Sequence, residues 1–225
     1  MNPFYLDLGF TKTELAEVRK VFGVVMTTLG VLVGGWSVAR LGLIRTMVIG
    51  AFMSPISNLV FAWLATQGPS LQALFVAIGV DNLATGYAGT ALIAYMSSLT
   101  SIGFTATQYA LFSSLYALPG KLIASQSGRI VEASARAAEG SGPFSGLRAL
   151  FAGLPEGSLA AGAATSGVTR EALGAGYVTF FLYSTAIGVF AVILAFVVAR
   201  KQTALQARLS DQAESDTARV EPAQT

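Results

Sequence analysis

The chain has 225 residues, 53% hydrophobic and 12% charged, with a formal net charge of +2 and a mean hydropathy of +0.62. A soluble domain carries about 25% charged residues, so this chain has too little charge to cover a water-facing surface, and the bilayer is the solvent that fits. With neither cysteine nor histidine, disulfide frameworks, thiolate sites, histidine bases and histidine metal ligands are excluded. No metal or other cofactor is expected, and the small net charge gives no sign of a nucleic-acid partner.

In chain order, Met1-Asn2-Pro3-Phe4-Tyr5 has no basic segment ahead of an apolar core, so internal helices are expected to serve as insertion signals. Residues 1–20 read as a charged extramembrane segment leading into the first helix, with Thr11-Lys12-Thr13-Glu14 as a capping box. Residues 21–39 carry no charge and are long enough, at 1.5 Å per residue, to cross a core of roughly 30 Å. Within them Gly30 and Gly34 have a small-xxx-small spacing that lets another helix approach closely, though chance in a glycine-rich chain explains it equally well. Arg40 and Arg45 then mark a short basic turn.

Residues 46–66 form a second uncharged span, where Pro55 implies a kink and Asn58 reads as a hydrogen-bonding link between helices. Residues 71–99 form the third, with Asp81 as their single charge. Thr105-Ala-Thr-Gln108 is a second capping-box pattern and opens the fourth span, 105–125. Residues 132–176 turn to Gly, Ala and Ser and read as a long, partly disordered extramembrane loop, with an apolar patch near 147–154 touching the interface. Residues 177–199 are the fifth span, and 200–225 read as a disordered cytoplasmic tail.

The expected class is therefore all-α, a polytopic helical membrane protein with five transmembrane helices (21–39, 46–66, 71–99, 105–125 and 177–199). Arg40, Arg45 and Arg200-Lys201 fall on one side by alternation, which predicts an outside N-terminus and a cytoplasmic C-terminus.

Polar residues inside spans are the candidates for function. Asp81 stands well into the third span, where a carboxylate costs at least a few kcal/mol and must face protein or water. On a helical wheel Asp81, Thr85 and Tyr95 share one stripe, with Asn82 beside it. Asp81 is a candidate proton acceptor or substrate ligand, and equally a structural hydrogen-bond partner. Asn82, like Asn58, reads as a link between helices worth about 0.6 kcal/mol. Tyr109, Ser113 and Tyr116 make a second stripe of rings and hydroxyls that suits a sugar, or ordinary packing. Lys121 lies off that stripe and either binds an anionic group or snorkels to the interface.

Two segments echo each other. Leu8-Gly-Phe-Thr-Lys-Thr-Glu-Leu-Ala16 and Ile102-Gly-Phe-Thr-Ala-Thr-Gln-Tyr-Ala110 share five of nine residues. An inverted repeat inside a transporter half produces such a pair, and so do two helix starts chosen for capping.

Gly35-Trp-Ser-Val-Ala-Arg40-Leu-Gly42-Leu-Ile-Arg45 resembles the loop motif of the major facilitator superfamily, with Ala39 in place of the acid and Arg45 alone in place of the basic pair. Asp81-Asn82, Gly86, Gly89-Thr90-Ala91 and Phe104-Thr-Ala-Thr-Gln-Tyr-Ala110 resemble the AmpG-type muropeptide permeases of that superfamily. The resemblance covers residues 2–132, and 178–199 only as an apolar helix. It implies the C-terminal part of a twelve-helix bundle in the bacterial inner membrane, with the N-terminal helices missing. The implied activity is proton-coupled uptake of a small polar solute, an anhydro-muropeptide, for peptidoglycan recycling.

Transport of a solute is the leading expectation. An intramembrane aspartyl protease needs two carboxylates where the spans hold only Asp81, and a serine protease without histidine needs a Ser–Lys pair for which no nucleophile motif is present. An inactive membrane remnant or scaffold stays open as the rival.

Overall fold

The computed structural model describes residues 3–99, 105–142 and 144–220. Every element among them is helical. Helices α1 (Pro3–Leu8) and α2 (Lys12–Glu17) lead through a π-helical turn (Val18–Phe22) into α3 (Gly23–Leu41). Thr11 starts this rod. Its hydroxyl accepts from the Glu14 amide at 3.2 Å, and the Glu14 carboxylate accepts from the Thr11 amide at 2.9 Å, which satisfies two otherwise orphaned donors. The second copy of the echo begins outside the described residues.

Gly42, at φ +84°, breaks the chain between α3 and α4 (Leu43–Gln67), a backbone that side chains rarely adopt. Gly68 ends α4, and Ser70 caps α5 (Leu71–Ser98) by accepting from the Ala73 amide. Beyond it lie α6 (Thr105–Ser125), α7 (Ser127–Glu139), a 3-10 helix (Ser145–Phe151), α8 (Ala160–Ser166) and α9 (Arg170–Val220).

Three stretches are long and apolar enough to cross a membrane: Lys12–Leu41, Leu43–Gln67 and Arg170–Gln212. Their outer faces carry large apolar side chains that are more than half exposed, among them Leu32, Trp36 and Phe190, as lipid-facing surfaces require. The protein is an all-α membrane protein.

Helix α5 lies between α3 and α4, and α4 in turn packs on α9. The α3–α5 contact is backbone on backbone. A β-carbon at Gly30 would stand 2.3 Å from the Leu83 carbonyl oxygen, and one at Gly86 would stand 2.3 Å from that of Thr27. A β-carbon at Gly34 would stand 3.0 Å from the Tyr87 carbonyl oxygen. Dispersion and close packing hold membrane helices together where lipid is as apolar as leucine, so these small residues set the crossing.

The buried core gathers at the end of the bundle that carries α1. There Phe4, Leu8, Leu64, Leu74 and Ile78 are almost fully enclosed. The Phe4 ring lies 5.0 Å from those of Tyr177 and Phe181, and Phe61 stacks on Phe181 at 5.5 Å.

Two stretches differ from the expected loop and tail. Residues 132–176 hold most of α7, the 3-10 helix, α8 and the start of α9, which begins at Arg170 rather than at 177. Their small residues are packing surfaces, with Ala135, Ala138, Ala172 and Ala175 fully buried. A β-carbon at Gly176 would stand 2.6 Å from the Val131 carbonyl oxygen, so α7 lies against α9 by the same device as α3 against α5. Residues 200–220 continue α9, rich in the Ala, Gln, Leu and Arg that favour helix.

Gly86→Ala should destabilise the protein by about 1–3 kcal/mol or more through forced separation of α3 and α5. Gly89, with nothing within 4 Å of its β-carbon position, should accept alanine without loss. Thermal unfolding of both variants in detergent checks this, and equal melting temperatures would contradict the crossing.

Candidate functional site

Helix α5 carries two polar neighbours that serve two different helices, because successive residues point about 100° apart on a helix of 3.6 residues per turn. Asp81 faces α4, where the Ser57 hydroxyl donates to its Oδ1 at 2.6 Å. Asn82 faces α3: its Oδ1 accepts from the Thr27 hydroxyl at 3.0 Å, and its Nδ2 donates to the Ile78 carbonyl at 2.8 Å. Asn82 lies beside Gly23, its amide 3.4 Å from where a β-carbon would stand, an ordinary van der Waals contact. The two bonds form a polar layer across α3, α5 and α4.

Asp81 is half-buried and is the one charged residue of α5. Among the described residues the Ser57 hydroxyl is its one donor, so the carboxylate keeps lone pairs that can accept from a ligand. Burial pushes the Tyr5 hydroxyl up to about 12, Arg19 draws it back, and Asp81 adds to the rise. The Arg19 guanidinium itself lies over the Tyr5 ring, 5.9 Å from its centroid.

The other candidate residues are spread more widely. Thr85 is exposed on the α5 surface. The Tyr95 hydroxyl accepts from Gln202 Nε2 at 3.1 Å, which ties α5 to the far part of α9. On α6, Tyr109 is half-buried, Ser113 donates to the Ala110 carbonyl of its own helix at 3.2 Å, and Tyr116 and Lys121 are exposed. Helix α6 touches mainly its sequence neighbours α5 and α7. Among the described residues no hydrogen bond joins Tyr109, Ser113, Tyr116 or Lys121 to the Asp81 layer. Asn58 bonds to the Ser54 carbonyl one turn back, at 3.2 Å, and so serves its own helix rather than a neighbour.

The loop-motif residues shape the opposite end. Gly42 turns the chain, and its carbonyl accepts from both the amide and the hydroxyl of buried Thr46. Gly35 has open space around it, and Arg40 and Arg45 are exposed.

A cavity of about 710 Å³ at the α1 end was not foreseen from sequence. It lies among α1, the α6–α7 junction, α8 and α9, with Asp7 and Glu132 as its carboxylates and Phe4, Tyr177 and Phe180 among its rings. The Tyr177 hydroxyl donates to Asp7 Oδ2, and the Asp7 carbonyl accepts from the Leu159 amide. Gly162 leaves room for the Asp7 carboxylate, whose carbon would stand 2.6 Å from a β-carbon there. Asp7 thus pins α1 to both α8 and α9. In the sequence it is one acid in a charged N-terminal stretch, and nothing in its spacing points to a residue 170 positions away.

The sequence is similar to part of several known proteins. Over 130 residues, 58% of the chain, it is 36% identical to a Rickettsia conorii protein provisionally named transporter AmpG 4, of which it covers 31%. It is 35% identical over 126 residues to transporter AmpG 3 of Rickettsia prowazekii, and 32% identical over 131 residues to transporter AmpG 1 of Rickettsia bellii, names held provisionally too. It covers 30% and 32% of those two proteins, and 56% and 58% of this chain is matched. The chain thus spans about a third of the length of the curated relatives it matches. No protein-family model matches it, and no solved structure does. The chain is thus similar to part of proteins named as transporters, and its long apolar helices suit a membrane.

The two kinds of polar contact should differ in worth. Thr27→Val should cost about 0.6 kcal/mol, the usual value for a hydrogen bond between membrane helices. Tyr177→Phe should cost about 1–3 kcal/mol, because it leaves the Asp7 carboxylate without its donor. Melting temperatures in detergent rank the two, and a larger loss for Thr27→Val would contradict the assignment.

Proposed function

We propose that the chain forms one helical bundle of a proton-coupled secondary transporter that brings muropeptides across the bacterial inner membrane. The observation that carries the reading is Asp81, a lone carboxylate on a helix clamped between two others, in a chain whose relatives are named transporters. Intramembrane carboxylates are costly to insert, and those that persist mark ion or substrate paths. Held by Ser57 and half-buried, Asp81 is the coupling group in this reading, with Asn82 fixing the face that α5 presents.

The solute path runs past Thr85 and the hydroxyls and rings of Tyr109, Ser113 and Tyr116. Rings and hydroxyls suit the apolar face and the many hydroxyls of an amino sugar. Tyr116 and Lys121 stand exposed on α6, so this bundle supplies one wall of a site, and a second bundle supplies the other. In membrane topology, α3, α4, α5, α6 and α9 cross the bilayer, with the α1 end outside and the end of α9 in the cytoplasm.

Cysteines placed singly at Ser141 and Ser210 should label from opposite sides of intact cells, against the clean background of a cysteine-free chain. Labelling of both from outside would overturn the topology.

The transport reading is tested by uptake of labelled anhydro-muropeptide into liposomes under an imposed proton gradient. The 225-residue chain alone should give no uptake above empty liposomes, and addition of a partner bundle from an AmpG relative should restore it. In the restored assembly Asp81→Asn should abolish uptake or its response to the gradient. Uptake that is indifferent to the gradient and to Asp81→Asn would reduce Asp81 to a structural partner of Ser57. Failure with every partner bundle would favour a membrane scaffold.

A further inference from the structure

A groove of about 620 Å³ runs between the first turns of α4 and the middle of α9. Its floor is apolar, built from Ile44, Val48, Ile49 and Phe196, and its rim carries Arg45 and Arg200. Both arginines are exposed. Among the described residues the ion pairs are Arg136–Glu132 and Arg170–Glu171, so neither rim arginine has a carboxylate partner there. Among the described residues no Asp or Glu lines the groove.

The two walls belong to helices long and apolar enough to cross the bilayer, so the groove opens towards lipid. It also has a direction. Phe52 of α4 meets Phe196 of α9 edge-on at 6.5 Å, and Arg45 stands two turns nearer the end of α4, about 10 Å along the axis. The charged end therefore lies at the headgroup level and the aromatic end in hydrocarbon. Two guanidiniums on the rim of one groove, without a carboxylate partner among the described residues, suit a phosphate through their N–H donors and repel an amine or choline headgroup. Basic pockets between membrane helices hold anionic headgroups on this physical basis.

We infer that this groove is a binding site for an anionic phospholipid, with its phosphate between Arg45 and Arg200 and an acyl chain laid along Ile49 towards Phe196. The site is separate from the Asp81 layer, and its occupancy does not depend on what the protein transports. A lipid seated there bridges α4 and α9.

The test uses the full chain in detergent, native mass spectrometry, and equal amounts of phosphatidylglycerol and phosphatidylcholine. Phosphatidylglycerol should be retained in preference by on the order of thirtyfold, the effect expected of two arginines beside an anionic headgroup. The double variant Arg45→Gln/Arg200→Gln should lose that preference without a change in melting temperature in lipid-free detergent, since both side chains are exposed and unpaired. Ile49→Trp, which fills the floor and keeps both arginines, should lower retention of phosphatidylglycerol as well. Equal retention of the two lipids, or a preference that survives the double variant, would overturn the proposal. So would stabilisation by inorganic phosphate equal to that by phosphatidylglycerol, because the site would then hold a free anion.

Discussion

The structure depends on how closely α3 and α5 approach. Gly30 and Gly34 on one helix and Gly86 on the other bring backbone against backbone, at distances where a single methyl group would collide with a carbonyl oxygen. In water such a contact would be one among many, but in lipid the apolar side chains gain nothing by leaving the solvent, and close packing has to supply the association. The same approach lets the short Thr27 side chain reach Asn82. A wider crossing would leave an amide in hydrocarbon without its cross-helix partner, at a cost that the glycines avoid. Once Asn82 of α5 is fixed against α3, the residue before it, Asp81, is turned to α4 and Ser57.

The two ends of the bundle are built on different physics. At the α1 end, aromatic rings, a buried core and the Asp7–Tyr177 bond tie α1, α8 and α9 into a cap. At the other end, Gly42 turns the chain, Arg40 and Arg45 stand exposed, and α9 runs on past Arg200. Helix α6 belongs fully to neither, and its Leu111, Leu115 and Tyr116 stand exposed.

Much of this was legible because the bilayer imposes simple rules. An all-α membrane protein follows from uncharged runs of sufficient length, and Thr11 and Glu14 announce a helix start that the structure shows in full. Gly30 and Gly34 announced a close approach, and Asp81 and Asn82 stood out as polar groups with nowhere to hide. What a wheel cannot show is the partner. Ser57 is one hydroxyl among several on α4, and Thr27 already bonds back to the Gly23 carbonyl of its own helix, so neither betrays a long-range role. The stretch 132–176 misleads for a related reason. Its alanines and glycines look like the composition of a loop, yet they form the close contacts of α7, α8 and α9, where small size is the packing requirement. The Asp7–Tyr177 bond and the groove at Arg45 and Arg200 depend on tertiary placement alone.

The α3–α5 crossing can be measured directly in the membrane, since the chain has no cysteine of its own. Cysteines at Thr27 and Asn82, whose side chains meet at 3.0 Å, should form a disulfide under mild oxidation. A pair at Thr28 and Asn82 should not, because Thr28 is exposed and its hydroxyl bonds to Val24 on its own helix. Rapid cross-linking of the first pair alone is the predicted result. No cross-link at 27 and 82, or equal cross-linking of both pairs, would contradict the crossing on which the rest of the account is built.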